Sequence, residues 1–141
     1  GTHYYASQTV SGCESTSRLD VTAAIEGTVV TTSANTGAGS LRSVVACASE
    51  GSTVTIDAGV TSITMTESLN LDKNLMIMDM AGAPVMITFD FTTITTYGIN
   101  IIAGKTVTLE NLGVTAINNP SNFPLIQVDG ILNAKNVTSN Q

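Results

Sequence analysis

What this chain has least of is charge, and positive charge above all. Among 141 residues only five are Lys or Arg, against eleven Asp or Glu, and the formal net charge is −6. Binding to nucleic acid or to an anionic membrane surface needs clustered cations that displace counterions, so neither is expected as a partner. Histidine is nearly absent: His3 is the single copy. A Ser-His-Asp triad or a histidine metal site therefore has no central group away from the start of the chain. No apolar run nears the roughly 18 residues of a membrane span. The first residues lack the basic segment and apolar core of a secretory signal. Gly-rich phosphate loops and calcium loops are missing too, and no cofactor is expected. The opening "GTHYYASQTV" reads as a start in mid-strand, as in a processed product or a piece of something longer. Two cysteines, Cys13 and Cys47, permit one disulfide or two buried thiols, and composition leaves both open.

What is plentiful is short alternating apolar sequence. Hydrophobic residues make up 43% of the chain, enough for a packed core and too many for disorder. The length fits one domain, or one domain with a piece of another. From Val54 onward the pieces "VTI", "ITM", "LNL", "LMIM", "VMITF", "INI", "VTL", "LIQV" and "ILNA" alternate with spacers rich in Gly, Asp, Asn or Pro. Uniformly short strands of this kind predict a sandwich or a solenoid.

Two segments at the head of the chain differ from this pattern. Residues 1–26 read as a β-hairpin, with "HYYASQTV" and "RLDVTAAI" as strands and "SGCES" as the turn. An isolated hairpin is marginal in water, so these strands need a further surface. Residues 27–141 form the second unit, and near its start "NTGAGSLRSVVACASEG" carries a helical period. Ser40 is placed to cap the helix by accepting a hydrogen bond from a free amide of the first turn. Leu41, Val44, Val45 and Ala48 follow i, i+3, i+4, i+7 and form one apolar stripe. Gly51 is placed to stop the helix. Two to three turns are too few for independent stability, so the stripe must cover an existing apolar surface.

An internal repeat favours the solenoid. "LDKNLMI", "LENLGV" and "AKNVTS" share a charged residue, an Asn and then Leu or Val, which aligns Asn74, Asn111 and Asn136. Asn tolerates left-handed backbone and can bond to an Asn one rung away, so the three are expected to form a corner ladder. The spacings are unequal, and "TTITTYG" is the expected extra loop of the longer rung. "NVT" at Asn136 also fits a glycosylation sequon, but the ladder has first claim on that side chain.

These motifs carry two resemblances. Residues 1–25 resemble the closing strands of immunoglobulin-like repeats in large bacterial surface proteins of the type IX secretion pathway, on the pattern YY-x-S-Q-T, G-C-E-S, V-T. "NTGAGSLRSVVACASEGSTVTI" resembles the cap and first strand of secreted right-handed parallel β-helix proteins of the pectin-lyase-like kind. In that family a G-x-G-S-L-R-x-A-I helix leads through G-x-T-I into the first rung. The resemblance implies an all-β right-handed parallel β-helix with a short capping helix, outside the cell or on the surface of a bacterium.

Polysaccharide chemistry in such a fold requires converging carboxylates with Arg or Lys beside them. The acids after the cap are Asp57, Asp72, Asp79, Asp90, Glu110 and Asp129. Asp72 and Glu110 fall near one repeat position with Lys73 and Lys135 close by, which reads as a solvated corner of alternating charge. Arg42 is expected to bind carbonyls of the cap turn or first rung. Met65, Met76, Met78, Met80 and Met86 read as mixed core and face filler, not as a copper site. The doublets Thr53/Thr55, Thr64/Thr66 and Thr106/Thr108 raise ice binding, which would need doublets stacked on one face.

The expected function is therefore structural and adhesive, at the cell surface, with no enzyme activity. "ILNAKNVTSNQ" reads as stopping in mid-rung, and a solenoid needs both ends covered. Self-association into head-to-tail filaments, with the hairpin docking on the open end, is the specific version. A β-helix that binds or cleaves surface glycans is the alternative, and an ice-binding solenoid the third.

Overall fold

A computed structural model of the chain describes residues 27–80 and 83–140 in full and, within residues 1–26, the backbone of four short strands. Among those strands β1 (His3–Ala6) pairs antiparallel with β4 (Leu19–Thr22), and β2 (Thr9–Val10) with β3 (Cys13–Glu14). The side chain of Cys13 lies outside the described residues.

From residue 27 the chain coils into a β-solenoid of about four turns with one short helix. Every strand pairing in the coil is parallel, which a chain of short strands achieves only by returning to the same face once per turn. Three faces result. The first holds β5 (Val29–Val30), β6 (Thr53–Ile56), β9 (Leu75–Asp79) and the leading halves of β12 (Thr106–Ile117) and β14 (Ile131–Asn140). The second holds β7 (Ser62–Met65), β10 (Val85–Asp90) and the trailing halves of β12 and β14. The third holds β8 (Leu69–Leu71), β11 (Ile99–Ile101) and β13 (Ile126–Val128).

Alternation along each strand sends every second side chain inward, and the register stacks them into apolar columns. Val54, Ile77 and Leu109 make one column, Ile63, Ile87 and Val114 another, and Leu71 and Ile101 a third. All eight are at most 2% exposed. Burying each such side chain stabilises the coil by about 1.5–3 kcal/mol relative to leaving it in water.

The helix α1 (Leu41–Cys47) lies with Leu41, Val44 and Val45 buried in the same core cluster, and Ala48 beside them at 7% exposure. Ser40 caps it, its hydroxyl accepting from the Ser43 amide at 3.2 Å. The turn before it depends on Gly39, whose φ is 74°; a Cβ there would lie 2.3 Å from the Thr31 hydroxyl. Gly51 does not end the helix. Ala48 does so, with extended backbone (ψ 141°) and its amide on the Val44 carbonyl. Gly51, at φ 80°, instead shapes the following turn and donates to the Asn74 carbonyl at 2.7 Å.

The repeat differs from expectation in its register. Asp79, not Asn74, stands one rung from Asn111, because Met78 pairs with Glu110. From Val54 to Ile77 a rung takes 23 residues, from Ile77 to Leu109 it takes 32, and from Leu109 to Ala134 it takes 25. The extra length does not sit in "TTITTYG", since residues 91–98 match an equally long connection at 118–125. It comes mainly from the longer step between the end of β9 at Asp79 and the start of β10 at Val85. In the next two rungs that corner is a single left-handed Asn inside an unbroken strand, Asn111 at φ 56° and Asn136 at φ 50°.

Candidate functional site

The polar side chains are organised as ties between rungs, and four of the five cations belong to them. Arg42 reaches down from α1 and donates through Nη1 to the Ser68 carbonyl and through Nη2 to the Glu67 carbonyl, both at 2.8 Å. Lys73 reaches up and donates to the Ala46 and Val45 carbonyls at 2.6 and 3.3 Å. The carbonyls at the end of α1 carry partial negative charge, so a lysine there is favourable. Together the two cations fasten the lid to the first rung from both sides.

A second tie occupies the corner where each rung re-enters the first face. Asn74 donates to Glu50 through its backbone amide at 3.0 Å and its side-chain amide at 2.6 Å, and its Oδ1 accepts from the Thr106 amide at 2.6 Å. Lys105 closes on Glu50 at 3.2 Å. These bonds, the Asn74 amide first and Lys105 next, hold the Glu50 carboxyl below its ordinary value of 4.5.

At the opposite corner the ladder is real but has different members. Asn136 donates to Asn111 Oδ1 at 2.7 Å, and Asn111 in turn lies 3.5 Å from the Asp79 carboxylate and carbonyl. Asn74 is not in this column. Asp79 is 3% exposed, a buried acid that the inward parity of Leu75, Ile77 and Asp79 already signals. Lys135 pairs with Glu110 on the outer surface of the first face.

Asp72 and Glu110 do not fall at one repeat position as expected. Glu110 pairs in register with Met78, whereas Asp72 lies outside β9 near the preceding corner. Asp57 is a turn acceptor for Gly59, and Asp129 accepts from Gln127. Asp90 accepts from the Thr92 amide and hydroxyl at 2.9 and 2.7 Å and from Asn118 at 3.0 Å. Asn118 first and Thr92 next hold its carboxyl below the ordinary 3.8. Among the described residues no group of three His, Cys, Asp or Glu could hold a metal ion.

The threonines stack as one column and not as doublets. Thr64, Thr88 and Thr115 align on the second face, but their partners two residues on are Thr66, Asp90 and Ile117. Cys47 stands exposed as a free thiol at the end of α1. No described helix is long and apolar enough to cross a membrane.

The two ends of the coil differ sharply. α1 covers the first rung, while the last leaves its inward positions partly open: Val128 is 44% exposed, Ala134 is exposed, and Leu132 and Val137 are half-buried. The far edge of β14 pairs with no described strand. No family model, curated protein or solved structure matches the chain. The resemblance carried by the cap motif thus holds for the architecture, a parallel β-solenoid.

Proposed function

We propose that the chain is a structural and adhesive element of the bacterial cell surface, whose solenoid associates with other copies through its last rung. The observation that carries this reading is the last described rung: the ten-residue β14 has an edge that pairs with no described strand, beside half-open apolar positions. Such an edge is a template for strand addition. The tie network supports the structural part, because Arg42, Lys73, Lys105 and Lys135 are engaged in holding rungs together.

Sedimentation velocity across a concentration series, with electron microscopy of the concentrated sample, tests the reading. The expected result is a mass that rises with concentration, and its reversal in an Ala134→Lys/Val137→Lys variant, which sets charges at the open core. A monomer at every concentration would end the self-association proposal. The alternative of glycan binding draws on one feature, a cleft of about 520 Å³ lined by Phe91, Thr92, Asn118, Asn119 and Pro120. Binding on a glycan array that is lost in Asn119→Ala would favour it instead.

A further inference from the structure

Register gives the paired strands at the head of the chain two unlike faces. β1 and β4 set His3 opposite Thr22, Tyr4 opposite Val21, Tyr5 opposite Asp20 and Ala6 opposite Leu19. Residues opposite one another share a face and successive residues alternate, so Tyr4, Ala6, Leu19 and Val21 occupy one face. His3, Tyr5, Asp20 and Thr22 occupy the other. One face is apolar and the other polar, and a lone two-stranded hairpin is marginal in water.

The outer surfaces of the coil differ in the same sense. On the third face the outward positions are the amides Asn70, Asn100 and Gln127. On the second they are chiefly hydroxyls, with Thr64, Thr88 and Thr115 in register beside a column that holds Met86. The first face carries the columns Thr53–Met76–Thr108 and Val29–Thr55–Met78–Glu110. Met76 and Met78 are outward and half-buried on β9, its central strand, and Val29 is 42% exposed. The charges at its margins are already paired, Glu110 with Lys135 and Glu50 with Lys105. What stays open is a neutral surface of methionine, valine and threonine, and methionine adapts to the shape of whatever packs on it.

Chain connectivity selects the occupant. Residues 23–28 are all that separates β4 from Val29, the first outward residue of this face. That tether spans at most about 25 Å, which holds the hairpin near the face at an effective concentration on the order of millimolar. The strand lengths match as well, four residues each in β1, β4 and β6 and five in β9. We infer that the β1/β4 hairpin docks on the outer surface of the first face of its own chain, with its apolar face over Met76 and Met78. The contact adds a second sheet layer to one wall of the coil. It uses none of the last rung, so it stands or falls separately from the self-association proposed above.

The test uses the full chain with Cys13→Ser and Cys47→Ser and a nitroxide attached through Asp20→Cys, on the polar face of the hairpin where it leaves the contact clear. Paramagnetic broadening should strike the ε-methyl signals of Met76 and Met78 hardest and leave that of Met86, on the second face, sharper. Broadening of Met86 as strong as that of Met76 and Met78 would overturn the docking. A mixed sample, with the nitroxide on one set of chains and the isotope label on the other, should show no broadening. If Met76 and Met78 broaden there, the hairpin sits on a second molecule and the intrachain contact is wrong. Met76→Lys/Met78→Lys changes two outward positions that the core does not use. Amide protection of β1 and β4 should then fall more than about tenfold, because the hairpin loses its support. Met86→Lys should leave that protection unchanged. Equal protection in the double variant and the parent would also overturn the inference.

Discussion

One inward column shows both ends of this molecule at once. Leu71 and Ile101 are fully buried, whereas Val128, next in the same column, is 44% exposed. The residue types are nearly equivalent and all three sit at the same position of their rung. What differs is the neighbour beyond. A rung lies beyond Ile101, and α1 spans the top of the coil with Leu41, Val44 and Val45 buried in its core. No described residue stacks beyond Val128. In a solenoid, then, burial belongs to the stack and not to the residue, because each rung contacts only its neighbours.

The most direct way to break this comparison is to truncate the column at two depths. Ile101→Ala removes a fully buried side chain with a rung on each side, and should cost about 2–5 kcal/mol. Val128→Ala should cost less than about 1 kcal/mol, since much of that side chain already meets water. Urea denaturation of both variants at low concentration checks the ranking. If Val128→Ala becomes as costly as Ile101→Ala only at high concentration, association of copies is what covers the last rung.

A smaller effect separates the two corners. At Asn111 the left-handed backbone disfavours any residue with a Cβ and no local amide, by about 1–2 kcal/mol. Asn111→Ala should therefore destabilise by about 2–3 kcal/mol, the backbone strain adding to roughly 1 kcal/mol from the lost amide bond. Asn111→Gly should lose only that second part. At Asn74 the order should vanish or reverse, because its φ is not positive and glycine there only adds chain entropy. Thermal melts of the four variants decide it.

This contrast also explains what could be read in advance. The strands and the lid were legible because both are periodic: alternation marked the pieces from "VTI" to "ILNA", and i, i+3, i+4, i+7 marked Leu41, Val44, Val45 and Ala48. The rung register was not legible. Three Asn-Leu or Asn-Val pairs look alike as letters, yet Asn111 and Asn136 serve the backbone while Asn74 serves as a two-sided hydrogen-bond relay. The longer step from β9 to β10 then offset the repeat, and nothing in the letters between two strands states how many residues a rung will take. The ties of Lys73 and Lys105 were missed for a similar reason, since their partners lie 27 and 55 residues away. Asp79 was the exception, detectable from its inward parity.

The smallest predicted effect uses the acids that the ties perturb. Glu50 and Asp90 both have carboxyl groups held below their ordinary values, Glu50 chiefly by the Asn74 amide and Asp90 chiefly by Asn118. The unfolded chain therefore takes up protons first as pH falls, so stability declines with acidification. The contribution is complete above the ordinary values of 4.5 and 3.8 and disappears as pH passes down through the depressed ones. Both carboxylates are exposed, and solvent screening keeps the share of each modest. Urea midpoints measured down the acidic limb should fall less steeply in Glu50→Gln and in Asp90→Asn than in the parent chain. The slopes should flatten further in the double variant, since the two groups tie different corners and share no partner. An acid limb of unchanged slope in both single variants would mean that these bonds add nothing to the folded state beyond what the same carboxylates find in water.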